Sequence, residues 1–159
     1  MKNITELIKT LYSKDNNIAY KCLKLLELES EHSNAVYEFF DTFVEMIDDN
    51  NSYIRTRGLI LISANAKWDI ENKIDEIIDN YLKHILDVKP ITARQCIKAL
   101  PNIAKYKKDL VPCIRKALLK ADTEIYKNSM QTLVYKDIRS ALQKIKYRIF
   151  KIIHGIKKR

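Results

Sequence analysis

Residues 54–62, Ile54-Arg-Thr-Arg-Gly58-Leu59-Ile-Leu-Ile62, hold a pattern that the chain repeats. Its opening isoleucine recurs as Ile18, Ile54, Ile91 and Ile125, at gaps of 36, 37 and 34 residues. Four places on stands Cys22, Gly58, Gln95 or Ser129. Five places on stands Leu23, Leu59, Cys96 or Met130, and eight places on Leu26, Ile62, Ala99 or Leu133. Offsets of 0, 4, 5 and 8 gather on one side of a helix with 3.6 residues per turn. Such a pattern recurring every thirty-odd residues indicates stacked helical units, each hiding its apolar side against the next.

Composition points the same way. Two glycines and three prolines in 159 residues are too few for the turns of a β protein, whereas the abundant Leu, Ile, Lys, Glu and Ala favour helices. The expectation is an all-α chain forming one domain over 1–159. Its helix pairs should lie at about 3–29, 34–66, 70–105 and 109–135, with a final helix at about 137–156. Asp15 is placed to cap the helix that follows it. Pro101 falls inside a helix and should kink it or end it early. Trp68-Asp69-Ile70, Tyr106-Lys-Lys-Asp109-Leu110 and Tyr135-Lys-Asp137-Ile138 each set an aromatic before an aspartate and an aliphatic. The aspartates should cap new helices and the aromatics pack at the seams, so a break is expected near Tyr135–Asp137. The last helix carries Ile138, Leu142, Ile145, Ile149, Ile152 and Ile156 on one stripe, suited to capping the open end of a stack.

The repeated pattern resembles the second helix of HEAT repeats, where a turn aspartate precedes Val-Arg-x-x-Ala. Here the aspartates would be Asp15, Asp49, Asp87 and Asp122, the valine position is isoleucine throughout, and the arginine position matches at Arg55. Ala19, Thr92 and Tyr126 hold that position elsewhere, with Arg57 and Arg94 two places beyond it in their units. The resemblance implies a right-handed α-α superhelix of about four and a half HEAT-like hairpins. It also implies a non-catalytic, armadillo-like scaffold that docks a protein partner on its concave surface. Cations flanking the inner stripe would then meet the partner: Lys21, Lys24, Arg55, Arg57, Arg94, Lys98 and Lys127.

Charge supplies a second reading. Residues 1–80 hold 9 Lys/Arg against 15 Asp/Glu, and residues 81–159 hold 20 against 5. A basic half suits nucleic acid or another polyanion, with phosphates neutralised by Lys105, Lys107, Lys108, Arg115, Lys116, Lys144, Arg148 and Lys151. Lys120, Lys136 and Arg139 extend that band, and Tyr147 and Phe150 among the charges could stack on single-stranded bases or simply pack.

Signals for catalysis are sparse. His32, His84 and His154 stand far apart, and no His/Cys cluster has zinc-ligand spacing. No Gly-rich phosphate loop is present, and no cofactor is implied. Trp68-Asp69 resembles the aromatic and aspartate of HEAT-like DNA glycosylases, although Asp69 also falls where a helix cap is expected. Cys22, Cys96 and Cys113 sit at apolar positions without a C-x-x-C motif, as core residues of a reducing compartment do. No apolar run approaches the roughly 20 residues of a membrane span, and the N-terminus lacks a leader pattern, so a cytoplasmic location is expected.

Overall fold

Each new long segment begins at an aspartate whose side chain folds the backbone back on itself. Asp15, Asp49, Asp87 and Asp122 each accept the N–H two residues ahead, from Asn17, Asn51, Lys89 and Glu124, at 3.0, 2.8, 2.9 and 3.0 Å. These Asx turns free the backbone from the preceding helix and aim it into the next. A computed structural model describes residues 3–157, with side chains as far as residue 145.

Short and long helices alternate. The short ones are α1 (Ile4–Thr10), α3 (Phe40–Met46), α5 (Lys73–Leu82) and α7 (Val111–Lys120). The long ones are α2 (Asn16–His32), α4 (Ser52–Ala64), α6 (Pro90–Tyr106) and α8 (Asn128–Lys157). Five 3₁₀ segments extend or join them, and no strand occurs among the described residues. None of the helices is long and apolar enough to cross a membrane, again among the described residues.

The chain divides into two compact units, Met1–Tyr81 and Leu82–Arg159. In the first unit, Leu11, Leu26, Phe40, Phe43, Met46, Ile47, Leu59, Ile62 and Tyr81 are almost wholly shielded from water. Gly58 lets α3 and α4 approach closely, since a Cβ there would lie 2.8 Å from Met46 Cβ and 2.9 Å from Phe43 O. The segment after α4 closes the unit. Asn65 Nδ2 donates to Ser30 Oγ, and Trp68 Nε1 to Ser30 O at 2.7 Å, satisfying groups at the end of α2.

In the second unit, Ala93, Cys96, Ile97, Leu100 and Ile103 of α6 bury against Val134, Ile138, Ala141 and Ile145 of α8. Contacts advance together along the two segments, Asp87 with Tyr126 and Arg94 with Asp137, so α6 and α8 run side by side in the same direction. Ile114 and Leu118 anchor α7 to the same core.

Several expectations are corrected. The recurrent isoleucine is not core: Ile18, Ile91 and Ile125 are 45%, 66% and 58% exposed. The next residue, Ala19, Arg55, Thr92 or Tyr126, is buried in all four cases. One step along a helix turns a side chain by about 100°, and Leu23 and Leu26, or Leu59 and Ile62, centre the buried stripe on that following position. The break expected at Tyr135–Asp137 is absent, and α8 runs through it. Asp137 binds Arg94 instead of capping, and Ile138 continues the buried face of the same helix. Pro101 does not end its helix early, which continues to Tyr106. Asp69 does cap, accepting from Lys73 and Ile74 N–H groups at 2.9 Å each, but the helix starts three residues later than expected. Ile70 lies in the intervening turn, 89% exposed, and Asn72 takes φ 57°, a left-handed value that asparagine tolerates. Asp109 makes no cap, α7 starting without a side-chain acceptor. Of the last helix's stripe, Ile149, Ile152 and Ile156 have side chains outside the described residues.

Gly58→Ala should lower stability by about 1–3 kcal/mol, because the clash with Met46 and Phe43 outweighs alanine's better helix propensity. Urea unfolding of the two proteins checks this, and a variant as stable as the parent would show that α3 and α4 are not in such close contact.

Candidate functional site

The charge boundary and the structural boundary coincide. Tyr81 is uncharged, so the first unit carries 9 cations against 15 anions, a net of −6, and the second 20 against 5, a net of +15. The second unit's acids do little to offset its cations. Asp87 is buried, with Oδ2 2.7 Å from His84 Nδ1 and Oδ1 accepting from Lys89 N–H. Asp137 takes Arg94 Nε at 2.6 Å. Asp109 and Glu124 lie in short 3₁₀ segments, and Asp122 in a turn, all outside α6 and α8. Helix α6 therefore contains no acidic residue at all, and α8 only the paired Asp137.

Exposed cations remain along both helices. Lys98 and Lys105 extend from α6, and Lys136, Arg139 and Lys144 from α8. Lys98 and Lys105 are seven residues apart, about 10 Å along the axis. Lys127 is exposed just before α8, and Lys108 just after α6. Lys107 is half-buried. On α7, Lys116 is exposed, while half-buried Arg115 reaches Leu142 O at 3.4 Å. Arg115 and Lys116 border an open depression of about 730 Å³, lined with Val111, Pro112, Leu119 and Lys120. Tyr147, Arg148, Phe150 and Lys151 have side chains outside the described residues.

The cations expected to meet a protein partner divide differently. Arg55 and Arg57 are 8% and 5% exposed and serve the protein's own backbone. Arg55 donates to Asp49 O and Asn50 O, both at 3.0 Å. Arg57 donates to Leu11 O at 2.7 Å and to Asn16 Oδ1 at 3.1 Å, tying α4 to the turn before α2. Burial lowers the Arg57 pKa, partly offset by the neighbouring Tyr53. Neither guanidinium is presented to a partner. Lys21 and Lys24 are exposed, with Lys24 2.9 Å from Glu27. That surface pair contributes ~0–1 kcal/mol.

Two aromatics expected at seams are instead on the surface. Tyr106 and Tyr135 are 41% and 51% exposed, with Lys105 Nζ 5.1 Å and the Arg139 guanidinium 5.9 Å from the respective ring centroids. A cation next to the ring or one turn on was the sequence signal for exposure. Trp68, by contrast, is half-buried and held by its indole N–H.

Asp69, the residue on which the glycosylase resemblance rests, is buried and accepts two backbone N–H groups and the Tyr37 hydroxyl, the last at 2.6 Å. Burial, followed by that hydrogen bond, pushes the Tyr37 pKa up. Among the described residues, no group of three His, Cys, Asp or Glu is placed to hold a metal ion. Compared with known proteins, the chain matches no family model, no curated protein and no solved structure at a significant level.

Tyr126 donates to Asp87 O at 2.5 Å, joining the start of α8 to the turn before α6. Burial, then Asp87, then Cys96 push its pKa up from 10.0 to about 12. A phenol with a raised folded-state value contributes stability that is complete below about pH 10 and is lost as pH rises towards 12. Unfolding free energy should therefore fall across that window, and Tyr126→Phe should reduce the slope. An unchanged slope in urea titrations at pH 9–12 would show that this hydroxyl is not buried.

Proposed function

We propose that the chain is a non-catalytic right-handed α-solenoid of HEAT-like hairpins whose second unit binds a polyanion, nucleic acid foremost. The architectural half is supported by the turn aspartates recurring at 15, 49, 87 and 122 and by the alternation of short and long helices. The functional half rests on one observation. Net charge changes from −6 to +15 at the residue where the chain divides into two compact units. A surface of exposed lysines repels itself, and a phosphate backbone relieves that repulsion while releasing its condensed counterions. Such contacts position a backbone without reading bases.

Docking of a protein partner is the second reading. It is supported by Ile18, Ile91 and Ile125, exposed at the same place in three repeats, with Lys21 and Lys127 close by in sequence. Complexes of that kind survive nuclease treatment, whereas nucleic-acid complexes do not.

Anisotropy titration of a labelled oligonucleotide with the full chain should show binding at 50 mM salt that weakens on the order of 100-fold by 200 mM, as expected for about five neutralised phosphates. Lys98→Glu combined with Lys136→Glu should abolish most of it, and Lys24→Glu in the first unit should leave it unchanged. Absence of binding at 50 mM salt would reject the polyanion reading.

A further inference from the structure

We infer that two copies of this chain pair through α2, antiparallel about a twofold axis, each covering an apolar stripe that the other leaves in water. The inference comes from comparing α2 with α4 inside the first unit. The repeat sets the two helices in register at an offset of 36 residues. Ala19, Cys22, Leu23 and Leu26 are buried, and so are their counterparts Arg55, Gly58, Leu59 and Ile62. On α4 the row Arg57, Leu61, Asn65 faces α2. Arg57 donates to Asn16 Oδ1 at the start of α2 at 3.1 Å, and Asn65 Nδ2 to Ser30 Oγ near its end at 3.2 Å. Leu61 between them is wholly buried. The same row on α2 is Lys21, Leu25 and Glu29, and there the leucine is open to water. Leu25 is 49% exposed, with Ile18 at 45% and Leu28 at 53%. These three lie roughly 120–160° around α2 from Ser30, on the side away from α4.

The stripe is complementary to itself. Ile18, Leu25 and Leu28 stand seven and three residues apart, the spacing by which two helices interlock. Charge sets the direction of the partner. Lys21 and Lys24 lie in the first half of α2, and Glu27, Glu29 and Glu31 in the second. A parallel copy would set like charges together, whereas an antiparallel copy sets each basic half against an acidic one. Lys24 and Glu31 lie within about 20° of each other around the helix, on one flank of the stripe. A twofold axis brings that flank of both copies together. Lys24 of each copy then meets Glu31 of the other, and Leu25 packs beside Leu28 of the other, as an isologous contact requires. Three half-exposed aliphatics support a reversible pair rather than a permanent one. The pairing uses the acidic unit and does not rest on the polyanion reading.

Sedimentation equilibrium of the full chain, freed of nucleic acid, tests this at concentrations up to about 1 mM. Salt at about 150 mM screens repulsion between the basic units. The expected result is a monomer–dimer equilibrium without larger species. Leu25→Ser with Leu28→Ser should weaken pairing at least about 10-fold, since each loss counts twice in a symmetric pair. Ile70→Ser, at a still more exposed aliphatic of the same unit, should leave it unchanged. Lys24→Glu or Glu31→Lys alone should weaken pairing, and the two in one chain should restore it. Circular dichroism melting of each variant separates loss of pairing from loss of fold. A chain that stays monomeric at every concentration, or a double serine variant that pairs like the parent, overturns the inference. Species larger than a dimer overturn it too, because a self-complementary contact closes at two copies. A double charge variant that pairs no better than the single ones overturns the antiparallel arrangement.

Discussion

A chain that alternates short and long helices must turn its backbone at fixed places, and the side chains that hold those turns organise this molecule. At intervals of 34–38 residues an aspartate carboxylate takes the N–H two positions ahead, and a long helix follows each of these turns. The residue following the repeat isoleucine is buried in all four units, whether it is Ala19, Arg55, Thr92 or Tyr126. Where that residue is polar, its side chain reaches into the chain's own turns. Arg55 holds the carbonyls of Asp49 and Asn50, and Tyr126 holds that of Asp87. Each net contribution is modest, but leaving any of these buried groups without a partner would cost about 1–3 kcal/mol.

Charge was distributed under the opposite pressure. A structural surface of this size would be expected to mix the two signs, because crowding one sign destabilises the compact state. The second unit instead confines its few acids to a buried site, an ion pair and the short segments between its helices, and leaves lysines exposed along α6 and α8. The proposed polyanion binding would offset that cost. The first unit carries the opposite net charge and uses its two buried arginines for its own backbone.

Much of the helix pattern was legible because turn and cap chemistry is local: Asp15, the Asp48–Ser52 turn and Pro90 each announce a helix start within two or three residues. What failed depended on partners distant in sequence. Asp137 has the same local surroundings as a capping aspartate, and only Arg94, 43 residues earlier, makes it an ion-pair partner inside a continuous helix. Arg55 and Arg57 resemble surface cations until Asp49, Asn50, Leu11 and Asn16 surround them. Periodicity placed the isoleucines on the apolar side but could not resolve a phase error of one residue. The candidate site was legible as composition, a basic half, and not as a surface. The alignment of α6 with α8 emerges only when the two helices lie together.

Amide chemical shifts of isotope-labelled full-length protein, followed as an oligothymidylate is added at low salt, test the central claim most directly. Shifts concentrated in residues 94–106 and 128–145, with those of Met1–Tyr81 unmoved, are the expected result. Shifts centred on the first unit, or clustered around Ile18, Ile91 and Ile125 with the lysine-bearing faces unaffected, would contradict it.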